Sequence, residues 1–204
     1  MRILFSFFGF LLFLSIHAQV DTGFYHHLND SIRAARDLEF ADSAHSPLEE
    51  DSIAGFTQLH YFPFNADYIF TARLEKTPGA KPFRMPTTTT RLPEYVQYGI
   101  LHFLLKDDSI HLPVYRNIAL SQRPDYRDYF FLPFTDSTNS FESYGGGRYL
   151  DLRIQPEDST VVIDFNQAYN PYCAYNSRYS CPIPPRKNRI RKPIYAGVLK
   201  YGEH

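Results

Sequence analysis

At 204 residues, with 21 Lys and Arg against 22 Asp and Glu, the chain can build one domain with a sizeable core and is too evenly charged for a dedicated nucleic-acid binder. Its 16 Tyr and 18 Phe, without a single Trp, point together with its patterning to a β protein carrying a wet, aromatic surface or cleft.

In chain order, Arg2 supplies a positive start, Ile3 to Ile16 is almost wholly apolar, and Ala18 offers a small residue before Gln19. That pattern predicts a secretory signal peptide over residues 1–18, with an apolar stretch too short for a stable membrane span. The alternative, an uncleaved N-terminal anchor, is disfavoured by the polar Gln19–Gly23 run that follows. Residues 19–204 then form a single β-rich domain, periplasmic or secreted, with no second long apolar run, internal repeat or linker. Export places Cys173 and Cys181 in an oxidising compartment, where they read as a disulfide and not as a zinc site.

Residues 24–40 carry Leu28, Ile32, Ala35 and Leu38 at helical spacing after possible caps at Asp21 and Thr22. Ser46, Pro47 and Glu49 form a capping-box pattern that opens a short second helix, and the two helices together suggest a lid beside a sheet. From residue 56 the period changes to two. Strands are expected at "DYIFTARL" (one face Tyr68, Phe70, Ala72, Leu74), "RMPTTTT", "QYGILHFLL", "IHLPVY", "YFFLPF", "RYLDLRI", "TVVIDF" and "PIYAGVLKY". "QYGILHFLL" is apolar on both faces and reads as a central, doubly covered strand. The fold class is mainly β, an antiparallel sandwich or barrel-like sheet of about eight strands with one or two N-terminal helices.

The last third carries the chemistry. Gly145–Gly147 before Arg148 read as a tight hairpin bend, with a ligand loop as the alternative; no Lys-Ser/Thr follows to make a phosphate loop. Strand alternation places Arg148 with Leu150, Leu152 and Ile154, and Asp164 and Asn166 with Val162. Arg148 and Asp164 are therefore expected to meet as a partly buried pair, either pinning the fold or flooring a pocket. The prolines at 171, 182, 184 and 185 stiffen a loop that holds Tyr169, Asn170, Tyr172 and Tyr175 in set directions, as a ligand rim requires. Asp136, Glu142, Asp151 and Asp164 supply carboxylates for acid/base or calcium chemistry, but no calcium-loop spacing is present. His102, in an apolar strand, reads as a core or rim residue. Neither H-E-x-x-H nor G-x-S-x-G occurs, so no metal or cofactor is expected. The basic run Arg186–Lys192 reads as a solvated face, or else as a site for polyanions.

The blocks "SPLEE…FTQLHYFPFNADY", "FLPFTDSTNSFESYGGGRYLDL", "VVIDFNQAYNPYCAYNSRYSCPIPPRKN" and "YAGVLKY" resemble the domain-of-unknown-function family 1684 over most of the chain. The resemblance extends to Asp136, Tyr144–Tyr149, Asp164–Asn166, Asn170, Cys173, Cys181 and Asn188, and implies no established activity, substrate or cofactor. The residues themselves favour binding of a small polar or carbohydrate-like ligand, with Arg148, Asp164, Asn166, Tyr169, Asn170, Tyr144 and Asp136 as candidates. A carboxylate-assisted hydrolase using Asp136 or Glu142 with Asp164 is the enzymatic alternative, and a protein-interaction surface built on the same tyrosines is the third.

Overall fold

The structure, a computed structural model, describes residues 21–202; the expected signal peptide lies outside that range. Helix α1 runs Thr22–Ala41, and the Asp21 carboxylate caps it by accepting from the Phe24 N–H at 3.0 Å. The second helix starts later than its capping pattern implies. Ser46 instead ties off the end of α1, donating to Phe40 O at 2.7 Å and accepting from the Leu48 N–H at 3.2 Å, and α2 is the single turn Glu50–Ile53.

Seven strands follow: β1 Ile69–Lys76, β2 Phe83–Arg84, β3 Glu94–Leu105, β4 Asp108–Asn117, β5 Tyr129–Phe134, β6 Arg148–Arg153 and β7 Thr160–Asp164. All pairings between them are antiparallel, in the order β6-β5-β4-β3-β1-β7, with β2 on β3. The sheet curls into a half-barrel around one large apolar core. Alternation is obeyed: Ala72 and Leu74 of β1, Leu112 and Val114 of β4, and Leu150 and Leu152 of β6 all point into it.

Three strand expectations need correction. The doubly covered strand is β5, not β3. Phe130, Leu132 and Phe134 enter the main core, while Phe131 packs on the opposite face with Met85, Tyr95, Tyr115 and Tyr149. On β3 one face is buried, but Leu104 on the other is exposed. "RMPTTTT" contributes only an isolated bridge, Thr87 to Pro182, beyond the two residues of β2. "PIYAGVLKY" keeps an alternating burial pattern, with Ile194, Ala196 and Val198 inside, yet forms no strand and only the Tyr61–Val198 bridge.

Gly147 is the bend that the triple glycine implied. Its φ is 92°, and a Cβ there would sit 2.6 Å from Phe134 O. This close approach lets Arg148 enter β6 pointing directly inward.

Candidate functional site

Arg148 is fully buried, but its partner is Asp136 and not Asp164. One guanidinium nitrogen donates to Asp136 Oδ2 at 2.8 Å and to Ile194 O at 2.9 Å. The other donates to Ala196 O and, at 3.5 Å, to Val198 O. The ring centroids of Phe134 and Phe62 lie 5.3 and 5.8 Å from the guanidinium carbon. Asp136 also accepts from the Thr138 N–H at 2.9 Å, the Thr138 hydroxyl at 2.7 Å and the Ile194 N–H at 3.1 Å. The carbonyls of 194, 196 and 198 are thus taken by a side chain, which explains why that segment is extended without joining the sheet. Arg148 and Asp136 form an internal strut, with both side chains fully buried.

Asp164 and Asn166 belong to a second network. The Val162 face of β7 is the outer one, with Val162 itself exposed, and at Asp164 that face is covered by α1. Asn29 of α1 donates to Asp164 Oδ2 at 2.6 Å, and Gln167 donates to the same oxygen at 3.0 Å. Asp164 Oδ1 accepts from the Asn166 backbone at 2.9 Å and from its side chain at 2.8 Å. Asn166 also exchanges two 2.9 Å bonds with the Asn65 backbone.

These contacts define the docking face of α1. It runs through Asn29, Arg33, Arg36, Asp37 and Phe40, with half-buried Leu28 and Ile32 beside them, so only the first half of the apolar row expected from spacing lies on it. Arg33 donates to Phe62 O at 3.2 Å and lies 4.5 Å from the Tyr61 ring centroid, and Asp37 accepts from the Leu59 N–H at 2.9 Å. Ala35 is exposed, and Leu38 is 73% exposed. The helix lies over polar rim groups, so its polar residues face inward.

Between α1 and the loop after β7 lies a cleft of about 330 Å³, lined by Arg36, Glu39, Phe40, Asp151, Tyr169, Asn170, Tyr172 and Tyr175. The Tyr169 backbone pairs with Tyr149 of β6 through two bonds, 2.9 and 3.0 Å, which carries the sheet edge into the cleft wall. Asp151 is held in place by the phenols of Tyr129 at 2.7 Å and Tyr169 at 2.8 Å, both donating to Oδ1. The Tyr172 phenol donates to Glu39, and the Phe40 ring meets Tyr175 edge-on at 4.7 Å. The Arg36 guanidinium lies 4.9 Å from the Tyr169 ring centroid and forms no ion pair among the described residues. Asn170 is 1% exposed; its amide nitrogen donates to Leu199 O at 2.9 Å, whereas its Oδ1 has no partner among the described residues. Burial first, then the charge of Asp151, pushes the Tyr169 phenol well above its ordinary range. Burial and then the bond to Glu39 do the same for Tyr172, so both phenols remain donors at neutral pH.

Of the seven expected ligand residues, the cleft gathers Tyr169 and Asn170, and it adds Tyr172 and Tyr175 from the same stiff loop. Tyr144 lies elsewhere, its hydroxyl 3.9 Å from Cys173 Sγ. Arg36 and Glu39 were missed, and Asp151 was expected only as a carboxylate for acid/base or calcium chemistry. Cys173 and Cys181 are brought together as expected, but as free thiols, with the Cys173 N–H donating to Cys181 Sγ at 3.2 Å.

The family model described as "Protein of unknown function (DUF1684)" matches residues 54–199, a span that holds Asp151 and the 169–175 loop but not Arg36 or Glu39. A solution NMR structure of an uncharacterized protein from Haloarcula marismortui is similar, with 30% sequence identity and a TM-score of 0.70, over 90% of this chain and 98% of that one. No curated protein matches. Among the described residues no helix is long and apolar enough to cross a membrane.

Proposed function

This chain belongs to the DUF1684 family of unknown function, and we propose that it is an exported protein binding a small polar, carbohydrate-like ligand in the cleft between α1 and the 169–175 loop. The observation that carries the reading is unspent hydrogen-bonding capacity beside aromatic faces. Among the described residues Asn170 Oδ1 is buried without a partner and Arg36 has no ion pair, and the rings of Tyr169, Tyr172 and Tyr175 stand around them. A buried acceptor without a donor costs about 1–3 kcal/mol, which a ligand hydroxyl or N–H would recover. Flat apolar rings with planar polar groups between them suit a sugar, whose C–H face and hydroxyl edge differ in the same way. The cleft volume is at the small end of ligand pockets, about 300–1,000 Å³. The hydrolase alternative gains no support from Asp136 and Asp164, since each carboxylate is spent in a separate structural network.

The test is saturation-transfer NMR followed by calorimetry on protein recovered from the export compartment, with neutral hexoses, hexosamines and uronic acids as probes. Intact mass is expected to start at Gln19, and at least one probe class is expected to bind. Arg36→Gln and Glu39→Gln should each weaken that binding about tenfold, the loss of one charge-assisted contact. Failure of every probe to bind, or affinity unchanged in both variants, removes the cleft as the site; an intact Met1 removes export.

A further inference from the structure

The loop that forms the cleft wall also carries a thiol pair whose two members are held in different ways. Cys173 lies in the tight turn Tyr172–Ala174 and is half-exposed, with its sulfur beside the Tyr144 hydroxyl. Cys181 is buried and fixed to the segment before β3. Its N–H donates to the Thr88 hydroxyl at 3.1 Å, its carbonyl accepts from the Thr88 N–H at 2.9 Å, and Ile183 N–H donates to Pro86 O at 2.8 Å. The Cys173 N–H points at Cys181 Sγ. Cys173 is partly exposed, and the buried, anchored Cys181 stands close enough for its thiol to bond the Cys173 sulfur.

We propose that this pair is a thiol–disulfide exchange site, in which Cys173 attacks a small-molecule or protein disulfide and Cys181 resolves the mixed disulfide. The Cys173 thiolate attacks one sulfur of R–S–S–R, forming Cys173–S–S–R and expelling RS⁻. Cys181 gives up its proton to the departing thiolate, attacks Cys173 Sγ and expels the second RS⁻, which takes up a proton from water. The protein dithiol loses two electrons and becomes a Cys173–Cys181 disulfide; the reagent gains them and leaves as two thiols.

The environment is matched to these roles. The Cys173 thiol is pushed down to about 6, first because the Cys181 thiol donates to it and then, against the opposing effect of burial, because Tyr144 and Thr88 do so as well. That places it as thiolate at neutral pH, the form that attacks. Cys181 is pushed up, first by its bond to Cys173 and then by burial, and remains a thiol. Capping Cys173 in the mixed disulfide removes the negative charge that Cys181 was donating to, so the first step itself frees the second sulfur to ionise. The product ties the turn carrying Tyr172 to the Thr88 segment. The chemistry itself does not depend on any ligand in the cleft.

The reduced full-length protein is mixed with oxidised glutathione near neutral pH, quenched with acid and weighed intact. Wild type is expected to lose two hydrogens with no lasting adduct. Cys181→Ser is expected to retain one glutathione, mapped to Cys173, and Cys173→Ser to react at least about tenfold more slowly than wild type. On the wild type, single-hit alkylation by iodoacetamide should fall on Cys173. Glutathione capture by Cys173→Ser at the wild-type rate, a persistent adduct on the wild type, or equal alkylation of both sulfurs would overturn the assignment. Because the alkylation readout uses the unmutated chain, a poorly folded variant does not shield the proposal.

Discussion

Replacing Arg148 with lysine is expected to destabilise the fold strongly, because the guanidinium reaches three carbonyls and a carboxylate from one buried position. Lysine keeps the charge but presents a single nitrogen on a flexible stem, and it cannot reproduce the fork that meets Asp136 and Ile194 O on one side and Ala196 O on the other. If the ammonium stays with Asp136, at least two backbone acceptors lose charge-assisted bonds of about 1.5–3 kcal/mol each. If it moves to the carbonyls, the buried Asp136 charge is stranded, at about 3–5 kcal/mol. Either way the expected loss is about 3–5 kcal/mol, a large share of a total stability of about 5–15 kcal/mol. Urea unfolding followed by tyrosine fluorescence should show the midpoint falling at constant slope, and the melting temperature should drop by roughly 6–20 °C. Arg148→Met should be at least as damaging, since it removes the charge that balances Asp136. An unchanged midpoint for Arg148→Lys, accompanied by lost ligand binding, would refute the strut and return Arg148 to a binding role.

Two further outcomes follow from the same networks. Asp164→Ala removes the acceptor for Asn29, Gln167 and Asn166; it should cost about 2–4 kcal/mol and selectively raise amide exchange across 22–41, and protection in α1 equal to wild type would contradict the docking described here. The buried tyrosines predict a loss of stability in alkali. Burial raises Tyr115 to about 12 and pushes Tyr129, Tyr149 and Tyr169 upward as well, so the folded state holds each proton more tightly than the unfolded chain, whose phenols ionise near pH ~10. The stability so supplied is complete below about pH 10 and is lost as pH climbs through the folded values. Absorbance at the phenolate band should rise first for exposed tyrosines and then abruptly with unfolding; a smooth titration of all sixteen near the ordinary value would contradict it.

The sheet was legible because alternation is a local property. "DYIFTARL", "IHLPVY", "YFFLPF", "RYLDLRI" and "TVVIDF" each became a strand with its apolar row in the core. Pairing between distant charges was not legible. Alternation correctly aimed Arg148 inward, but it could not say that Asp136, twelve residues earlier in the chain, would lie closer to the guanidinium than Asp164 does. The helix itself was legible, but its buried face only in part, for a related reason. A hydrophobic row identifies the buried face only when what it packs against is apolar, and α1 meets Asp164, Phe62 O and tyrosine rings. Arg36 and Glu39, which no sequence pattern singles out, are cleft walls. The four-residue loop set from Tyr169 to Tyr175 was legible because proline restriction, like alternation, is local.

The absent eighth strand shows how the two halves of the molecule depend on one another. Residues 193–200 have a strand's alternation and bury Ile194, Ala196 and Val198, yet joining the sheet would require their carbonyls to accept from a neighbouring strand. Arg148 takes those acceptors first. The strut therefore holds the C-terminal run against the core without sheet pairing, and from that run Leu199 O receives the amide of Asn170. Gly197, with φ 81° and a Cβ position only 2.7 Å from Ala168 O, lets the run pass that close to the cleft loop. Asn170 is thus oriented through a chain of contacts that begins at a buried arginine outside the cleft, and its unpartnered oxygen is positioned by the fold's own internal pairing rather than by loop freedom.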